Sequence, residues 1–398
     1  MKKEYRQLLV FVLLVFFLSG CNSLKSLKRE RAVPGPDVSE AEVVGVPGVR
    51  YNFSNNKGVD DFISDFDALQ KGDPPPRPQE TVSFLTISGG GDKGAFSAGL
   101  LSGWTKRGDR PQFKLVTGVS TGALIAPFAF LGSDYDDELR LYTTADQNVV
   151  FKKRGFIAGF FADGLFDTAP LYQLISELFD EEVIRKIAHE YTVNHRWLLI
   201  ATTNLDAQVP IKWNMGKLAS VGTPEAIELF RKVILASASI PGAFPPVMID
   251  VEVNGDRYQE MHVDGGASRQ VFLYPAALTR RIKNEYAIPD VNREVYIIRN
   301  GGFKPKPSET ERFTVAIVLK TVKQLLLYQG MGDLFEIYVT TQQDNIGYNL
   351  AFISSDEFDF PRTESFSKEY MSKLFDYAEG KAANGYPWLN EPFGLSIE

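Results

Sequence analysis

The feature that most constrains this chain is a serine flanked by two glycines at the end of a short apolar run. Residues 115–122 read Leu-Val-Thr-Gly-Val-Ser-Thr-Gly, and an apolar, helix-like segment follows at 123–130. Gly-x-Ser-x-Gly between a strand and a helix is typical of a nucleophile elbow, which exposes a serine hydroxyl at the carboxyl end of the strand. Gly118 and Gly122 fit this interpretation, because a Cβ at either position would crowd the tight turn. The pattern is also common by chance, so its meaning depends on the partners that the rest of the chain offers Ser120.

The amino terminus indicates export and a lipid anchor. Three basic residues precede an unbroken apolar run at 8–18, which is too short to span a bilayer and has the length of a signal-peptide core. The run leads into Leu-Ser-Gly-Cys at 18–21, which resembles the lipobox of bacterial lipoproteins, where the cysteine is lipidated and becomes the first mature residue. Cys21 is the only cysteine, so no intramolecular disulfide is possible. Asn22 resembles the default for sorting to the outer membrane of Gram-negative bacteria, where we expect this protein.

Composition divides the chain into four parts. We expect a signal peptide at 1–20, the lipidated cysteine and a linker rich in Pro, Gly, Asn and Asp at 21–80, a globular domain at 81–300 and a mainly helical extension at 301–398 that packs on that domain. The net charge is −7, and no basic stripe is interleaved with aromatic residues. Nucleic acid is therefore not an expected partner.

A glycine-rich turn follows the first predicted strand of the globular part. The β-rich run at 82–87 stops at Ser-Gly-Gly-Gly-Asp-Lys-Gly, and helical spacing begins at 95. The spacing of Gly89, Gly91 and Gly94 also fits a dinucleotide-binding fingerprint, but the next strand ends in Thr-Gly-Val-Ser without the acidic residue that would hold a ribose. We therefore expect no nucleotide. The turn fits an oxyanion hole better, because uncovered backbone N–H groups at a helix N-terminus each stabilise an oxyanion by about 2.7–4 kcal/mol.

Ser120 also needs a base, and the chain offers few. It has three histidines, and none follows His262, so the residue order of an α/β-hydrolase would require His262 itself as the base. The stronger candidate is Asp264, where a short predicted strand ends in Asp-Gly-Gly. A desolvated carboxylate there could accept the serine proton directly. An isolated Asp-Gly-Gly would be read as an ordinary turn.

Three motifs in a fixed order resemble the patatin-like phospholipase family. They are Gly-Gly-Gly-Asp-Lys-Gly at 89–94, Gly-Val-Ser-Thr-Gly at 118–122 and Asp-Gly-Gly at 264–266. The segment Gly-Leu-Phe-Asp-Thr-Ala-Pro-Leu at 164–171 and the Pro-rich stretch Ala-Ser-Ala-Ser-Ile-Pro-Gly-Ala-Phe-Pro-Pro at 236–246 strengthen the match. Each motif is weak alone, and the ordered set is specific. The resemblance covers residues 82–275.

The resemblance implies a site without histidine. Ser120 would be the nucleophile and Asp264 the general base, with Gly265 and Gly266 completing the Asp-Gly-Gly motif. The oxyanion hole would be formed by the turn residues Gly89, Gly90, Gly91, Lys93 and Gly94. Ser88 departs from plant patatins, which have Asp there. His262 would be structural, and neither a metal nor a cofactor is expected.

The implied fold is a three-layer α/β/α sandwich with a central, mostly parallel sheet, with strands near 82–87, 113–116, 196–201, 261–264 and 293–298. The implied activity is hydrolysis of acyl esters, so membrane lipids would be both substrate and anchor. No protein partner can be inferred. Two alternatives stay open: a general serine esterase that uses Ser120 and His262, and a catalytically idle envelope lipoprotein that binds lipid or a partner.

Two further segments carry expectations. The aromatic segment 156–161 could line an acyl pocket or dip into a bilayer. In the extension we expect helices at 308–329, ended by Gly330, at 332–343 and at 365–378, with a strand at 347–353.

Overall fold

The computed structural model describes residues 29–70, 80–143, 152–153, 163–164, 166–274, 291–304, 307, 309–362 and 364–395. The predicted signal peptide, Cys21 and the aromatic segment 156–161 lie outside these ranges. Among the described residues, none of the helices combines the length and the apolar character that crossing a membrane requires.

A mixed ten-stranded sheet forms the middle layer of the described structure. Its five central strands are parallel, and in spatial order they are β7 (Trp197–Asn204), β4 (Phe113–Val119), β3 (Val82–Ile87), β11 (Arg293–Arg299) and β12 (Gly347–Phe352). The predicted strands coincide with members of this sheet, and the mostly parallel α/β fold is confirmed.

Antiparallel strands extend this sheet beyond β7. β10 (Asp256–Asp264) pairs with the last three residues of β7 and with β9 (Val247–Val253), while β8 (Val209–Asn214) pairs with residues 199–204 of β7. The two-residue strands β1 (Glu42–Val43) and β2 (Arg50–Tyr51) pair with β9 and β8. A separate small hairpin joins β5 (Lys152–Lys153) to β6 (Phe166–Asp167).

Helices cover both faces of the sheet. One face carries α2 (Gly94–Arg107), α3 (Thr121–Leu131), α8 (Pro224–Ala238) and α10 (Lys368–Ala383), whose apolar residues belong to one large core cluster. The other face carries α1 (Asn56–Gln70) and α9 (Thr314–Asp344), which share a second cluster. The shorter helices are α4 (Asp136–Leu139), α5 (Ala169–Leu178), α6 (Glu181–Thr192) and α7 (Met215–Val221).

Residues 29–70 pack into the domain, whereas the sequence predicted a linker at 21–80. Val43, Val46 and Val49 are buried in the core of the domain, and Phe62 of α1 packs 4.8 Å from the ring of Trp197. The many Pro, Gly, Asn and Asp residues suggested a solvated tether, but the valines between them bury apolar surface and the short strands find partners at two sheet edges. Most of the predicted linker is therefore part of the folded body.

The C-terminal part is interwoven with the domain. β12 extends the parallel sheet beside β11, and α10 packs along α2. The two helices predicted at 308–329 and 332–343 are one continuous helix, α9. Gly330 does not end it, and this glycine packs closely against the side chains of Arg299 and Gln270.

Candidate active site

The turn around Ser120 has the geometry of a nucleophile elbow. Ser120 joins β4 to α3 at φ 55° and ψ −124°, a strained conformation for a residue with a side chain. A Cβ on Gly118 would lie 2.5 Å from the carbonyl oxygen of Gly122, and one on Gly122 would lie 2.3 Å from that of Ile87. Both glycines are therefore required by close backbone approach, as the sequence predicted.

A neighbouring serine holds the strained turn in place. The backbone N–H of Ser120 donates to Oγ of Ser237 at 3.0 Å, and that hydroxyl donates to the carbonyl of Ala201 at 2.7 Å. Ser237 lies in the small-residue stretch at 236–246. The sequence marked that stretch but offered no role for this hydroxyl.

The end of β10 brings Asp264 to Ser120. β10 runs antiparallel to β7, and its register pairs Asp264 with Thr202, one residue beyond the level at which Val119 pairs with Ala201. The strand can end there because Gly265 packs against the backbone of Ala201, where a Cβ would lie 2.4 Å from the carbonyl oxygen.

The two side chains meet in a desolvated environment. The side chain of Ser120 interacts with the carboxyl of Asp264 and favours its ionised form, and the backbone N–H of Gly266 donates to its Oδ1 at 2.7 Å. Burial raises the pKa of Asp264 to about 7, and these two contacts only partly offset it. A carboxylate with that pKa can exchange protons near neutral pH.

The glycine-rich turn lies beside this pair, but its glycines have different tasks. The N–H of Gly89 donates to the carbonyl of Gln270 at 3.1 Å, and the N–H of Gly94 donates within the short 3-10 turn at 91–93. The expected donors Gly89 and Gly94 are thus already occupied, which corrects their assignment to an oxyanion hole. No hydrogen bond within the described residues uses the N–H groups of Gly90 and Gly91, which remain the candidate donors.

The conformations of these two glycines explain why side chains are excluded there. Gly91 has φ +61°, which favours glycine, and a Cβ on Gly90 would lie 2.5 Å from the backbone oxygen of Asn300. Asn300 also accepts from the N–H of Ser97 at 3.2 Å and donates to the carbonyl of Ser88 at 2.9 Å. Asn300 and Gln270 therefore hold the turn, and no sequence motif pointed to either residue.

Lys93 adds positive charge beside the turn. Burial, with the neighbouring cations Arg362 and Lys323, lowers the pKa of Lys93 to about 8. Its ammonium makes no hydrogen bond within the described part of the chain. The adjacent Asp92 is buried and accepts from Nε of Arg362 at 2.6 Å and from the N–H of Phe366 at 2.9 Å. The C-terminal segment is thereby fastened to the turn.

His262 belongs to a separate buried network. Its Nδ1 lies 2.9 Å from Oγ1 of Thr202 and its Nε2 lies 3.0 Å from Oε2 of Glu260, while Thr202 also accepts from the indole N–H of Trp213 at 2.8 Å. Burial lowers the pKa of His262, so the ring is neutral. Because both ring nitrogens are occupied away from Ser120, the arrangement does not support His262 as its base.

An apolar pocket opens at Ser120. It holds about 830 Å³ of empty space, counting its solvent-open mouth, and Gly91 of the turn also lines it. Its walls come from α3, α4, α5 and the C-terminal segment, and include Leu124, Phe128, Leu171, Leu174, Phe366 and Met371. Such a wall suits a hydrocarbon chain. Among the described residues, no group of three or more His, Cys, Asp or Glu side chains is arranged to hold a metal ion.

Comparisons with known proteins identify a family for part of the chain. Residues 85–277 match the model of the patatin-like phospholipases. VipD from Legionella pneumophila is similar in structure at a TM-score of 0.35 and 12% identity, over 78% of this chain and 67% of that chain. The structure of full-length SpcU with full-length ExoU, from the type III secretion system of Pseudomonas aeruginosa, contains a chain similar at a TM-score of 0.31 and 11% identity, over 78% of this chain and 52% of that one. This chain thus spans about half the length of the latter. A comparison with curated protein sequences finds no match.

Proposed function

We propose, from the match of residues 85–277 to the model of the patatin-like phospholipases, that the protein cleaves acyl esters of membrane lipids as a phospholipase A or lysophospholipase. Membership of this family indicates a lipid hydrolase in general. The finer proposal is carried by one observation, the placement of Ser120 beside the buried carboxyl of Asp264 at an apolar pocket.

The proposed reaction has two steps that share one base. Asp264 accepts the hydroxyl proton while Oγ of Ser120 bonds to the acyl carbonyl carbon. The N–H groups of Gly90 and Gly91 stabilise the resulting oxyanion. The tetrahedral intermediate collapses, and the departing alcohol takes the proton from Asp264. Water then attacks the acyl-enzyme, giving its proton to Asp264, and the fatty acid leaves as Ser120 is regenerated.

The pocket supports a lipid as the acyl donor. A hydrocarbon chain gains roughly 0.8 kcal/mol for each CH₂ that leaves water, and most of the residues that line the pocket are leucine, isoleucine, phenylalanine or methionine. An ester without a long apolar chain would leave this surface unfilled.

A fluorophosphonate probe tests the proposed nucleophile. We expect the probe to label the wild-type protein. In a separate assay without the probe, the wild type should release fatty acid from phosphatidylcholine or lysophosphatidylcholine. Ser120→Ala should lose both. Ser102→Ala is a matched control, because Ser102 is also buried but lies inside α2. An unlabelled wild type that releases no fatty acid would instead favour the idle lipid-binding lipoprotein.

We also propose that lipidation of Cys21 anchors the protein in the outer membrane of a Gram-negative cell. The basic start, the apolar run at 8–18 and the single cysteine support this. Two or three acyl chains would hold it firmly, since one alone binds only marginally. Labelling of cells with a palmitate analogue should mark the wild type and leave Cys21→Ala unmarked; equal labelling would contradict the anchor.

A further inference from the structure

The first half of α9 exposes a large apolar surface. The six residues concerned, here called the apolar face, are between 41% and 63% exposed: Phe313, Ile317, Val318, Val322, Leu325 and Tyr328. At 3.6 residues per turn they lie on roughly half of the helix circumference. Contiguous exposed apolar patches mark binding surfaces, whereas single exposed apolar residues are ordinary.

The second half of the same helix packs on the domain along one side, although Phe335 and Val339 are 37% and 52% exposed. Leu334 and Ile337 are buried in the second core cluster, and Tyr338 packs 5.3 Å from the ring of Tyr348. The helix is thus anchored at its C-terminal end and presents the apolar face from its N-terminal end. Solvent exposure of that end is costly unless something else covers it.

The apolar face lies next to the proposed catalytic machinery. The side chain of Gln329 donates to the carbonyl of Ser268, four residues after Asp264. Asp333 accepts from the N–H of Gln270 at 2.7 Å. On the other side, Lys323 is close enough to Lys93 to contribute to its lowered pKa, after burial and Arg362. The exposed half of α9 therefore borders both loops that shape the site.

The charges interspersed within the apolar face have a single sign, although Glu311 and Arg312 precede it and Asp333 follows it. From 313 to 332 the sequence contains Lys320 and Lys323 and no Asp or Glu, although the whole chain carries a net charge of −7. A surface of exposed apolar residues whose interspersed charges are lysines is complementary to an anionic lipid surface. In a symmetric pair of copies the lysines of one face would meet like charges on the other, which disfavours self-association.

We propose that the N-terminal half of α9 docks on an anionic phospholipid bilayer, with the apolar face among the acyl chains and Lys323 at the headgroups. Docking holds the mouth of the Ser120 pocket at the surface from which lipid enters. The consequence for catalysis rests on the proposed function, but docking itself can be measured without turnover.

A single labelled cysteine tests the docking directly. In the full chain carrying Cys21→Ser no other cysteine remains, so Leu325→Cys can be labelled with the environment-sensitive dye NBD. We expect its fluorescence to shift to the blue and to rise severalfold with vesicles of phosphatidylcholine and phosphatidylglycerol, and much less with phosphatidylcholine alone. Val193→Cys is the matched control, because Val193 is 58% exposed at the end of α6, far from α9 in sequence, and should not respond.

Two results with the dye would overturn the proposal. The first is a label at Leu325 that does not respond to anionic vesicles. The second is a label that is already blue-shifted in buffer, because another part of this chain or a second copy would then cover the apolar face. Light scattering identifies the second copy by a doubled mass.

A kinetic comparison separates docking from chemistry. The triple variant Ile317→Ser, Val322→Ser and Leu325→Ser should hydrolyse vesicle lipid at least tenfold more slowly than the wild type and keep its rate on monomeric p-nitrophenyl butyrate. The control Val193→Ser, Val221→Ser and Leu395→Ser removes three exposed apolar residues elsewhere and should keep both rates. An undiminished rate of the first variant on vesicles contradicts docking. A wild type inactive on both substrates contradicts the proposed function instead, and the dye result still decides docking.

Discussion

The buried carboxyl groups in the middle and at the end of β10 have pKa values that are shifted in opposite directions. Glu260 in the middle is paired with the guanidinium of Arg50, whose Nη2 lies 3.1 Å from Oε1, and with the ring of His262. Burial alone would raise the pKa of Glu260, but Arg50 and His262 outweigh it and lower the pKa to about 2. Asp264, four residues later and equally buried, has no cation bonded to it among the described residues, and its pKa is raised to about 7.

The difference is consistent with the proposed function, in which Asp264 and not Glu260 acts as the base. A carboxylate held by a cation stays ionised and cannot take a proton at neutral pH, so it serves the fold. A carboxylate that only neutral donors contact is poised between its two forms, which costs stability and provides reactivity. Two positions four residues apart on β10 thus differ in role: Glu260 stabilises the fold, and Asp264 is the proposed base.

Replacing Asp264, the proposed base, should have the largest effect on the rate of hydrolysis. Asp264→Asn keeps the shape of the side chain but cannot accept a proton, so we expect kcat/KM for vesicle lipid to fall at least about 10²-fold. Glu260→Gln, the matched amide substitution on the same strand, should change that rate far less. Comparable rates for Asp264→Asn and the wild type would eliminate Asp264 as the base.

The pH dependence follows from the same pKa. Because only the ionised form of Asp264 accepts the proton, the rate should rise as pH rises through about 7 and then level off. The folded pKa is raised, so the stability contributed by this group is full below the unfolded value and is lost as pH rises through about 7. Asp264→Asn should therefore unfold at a higher temperature than the wild type at pH 8 and at a similar one near pH 4.

Breaking the pair in the middle of β10 should affect stability instead. Glu260→Gln leaves the guanidinium of Arg50 buried without its counterion, and we expect the free energy of unfolding to fall by about 3–5 kcal/mol. The lowered pKa of Glu260 means that the wild type holds this stability above pH 4.5 and loses it as pH falls through about 2. Urea titrations at pH 7 and pH 3 should show the deficit shrinking in acid; a constant deficit would contradict the ion-pair explanation.

Replacing His262 tests whether the buried network around Glu260 is separate from the site at Ser120 and Asp264. His262→Gln removes a ring with two buried hydrogen bonds, so a loss of about 1–3 kcal/mol in unfolding free energy is expected. The rate on a soluble ester should stay within about tenfold of the wild type, because His262 contacts neither Ser120 nor Asp264. A loss as large as that of Asp264→Asn would revive the serine esterase with histidine.

Much of the site could be predicted from sequence because tight turns leave local signatures. The elbow at Ser120 and the Asp264-Gly265-Gly266 turn need glycine for reasons that the neighbouring backbone makes clear. The occupied N–H of Gly89 could not be predicted, since its bond to the carbonyl of Gln270 depends on a loop 181 residues away in sequence. The same holds for Ser237, whose role arises only when β4, β7 and α8 are assembled.

The boundaries of the domain were harder to predict for a related reason. Residues 29–70 have the composition of a tether, and their pairing with β8 and β9 involves strands of only two residues each. Glycine often ends a helix, yet α9 continues through Gly330, and Leu334 and Ile337 beyond it are buried in the second core cluster. In both places a long-range contact overrides a local preference.

Lys212 extends the comparison to a buried cation, with the smallest expected effect. Its ammonium has no hydrogen-bond partner within the described residues and lies 4.4 Å from the ring centroid of Phe272. Burial, aided by Arg269, lowers the pKa of Lys212 to about 7. Lys212→Met fills the same space without a charge to desolvate, so we expect a gain of about 1 kcal/mol in unfolding free energy.

The pH dependence of that gain tests its cause. A lysine whose folded pKa is lowered destabilises the fold below about 7, and the penalty disappears as pH rises toward 10.5. The advantage of Lys212→Met should therefore be largest near pH 6 and vanish near pH 10, the opposite direction from Asp264→Asn. Lys217→Met is the matched control, because its ammonium is 2.7 Å from Asp65, and it should not stabilise the protein at any pH. A gain for both lysine variants, or a gain independent of pH, would show that added apolar surface, and not removal of an unpaired buried charge, is responsible.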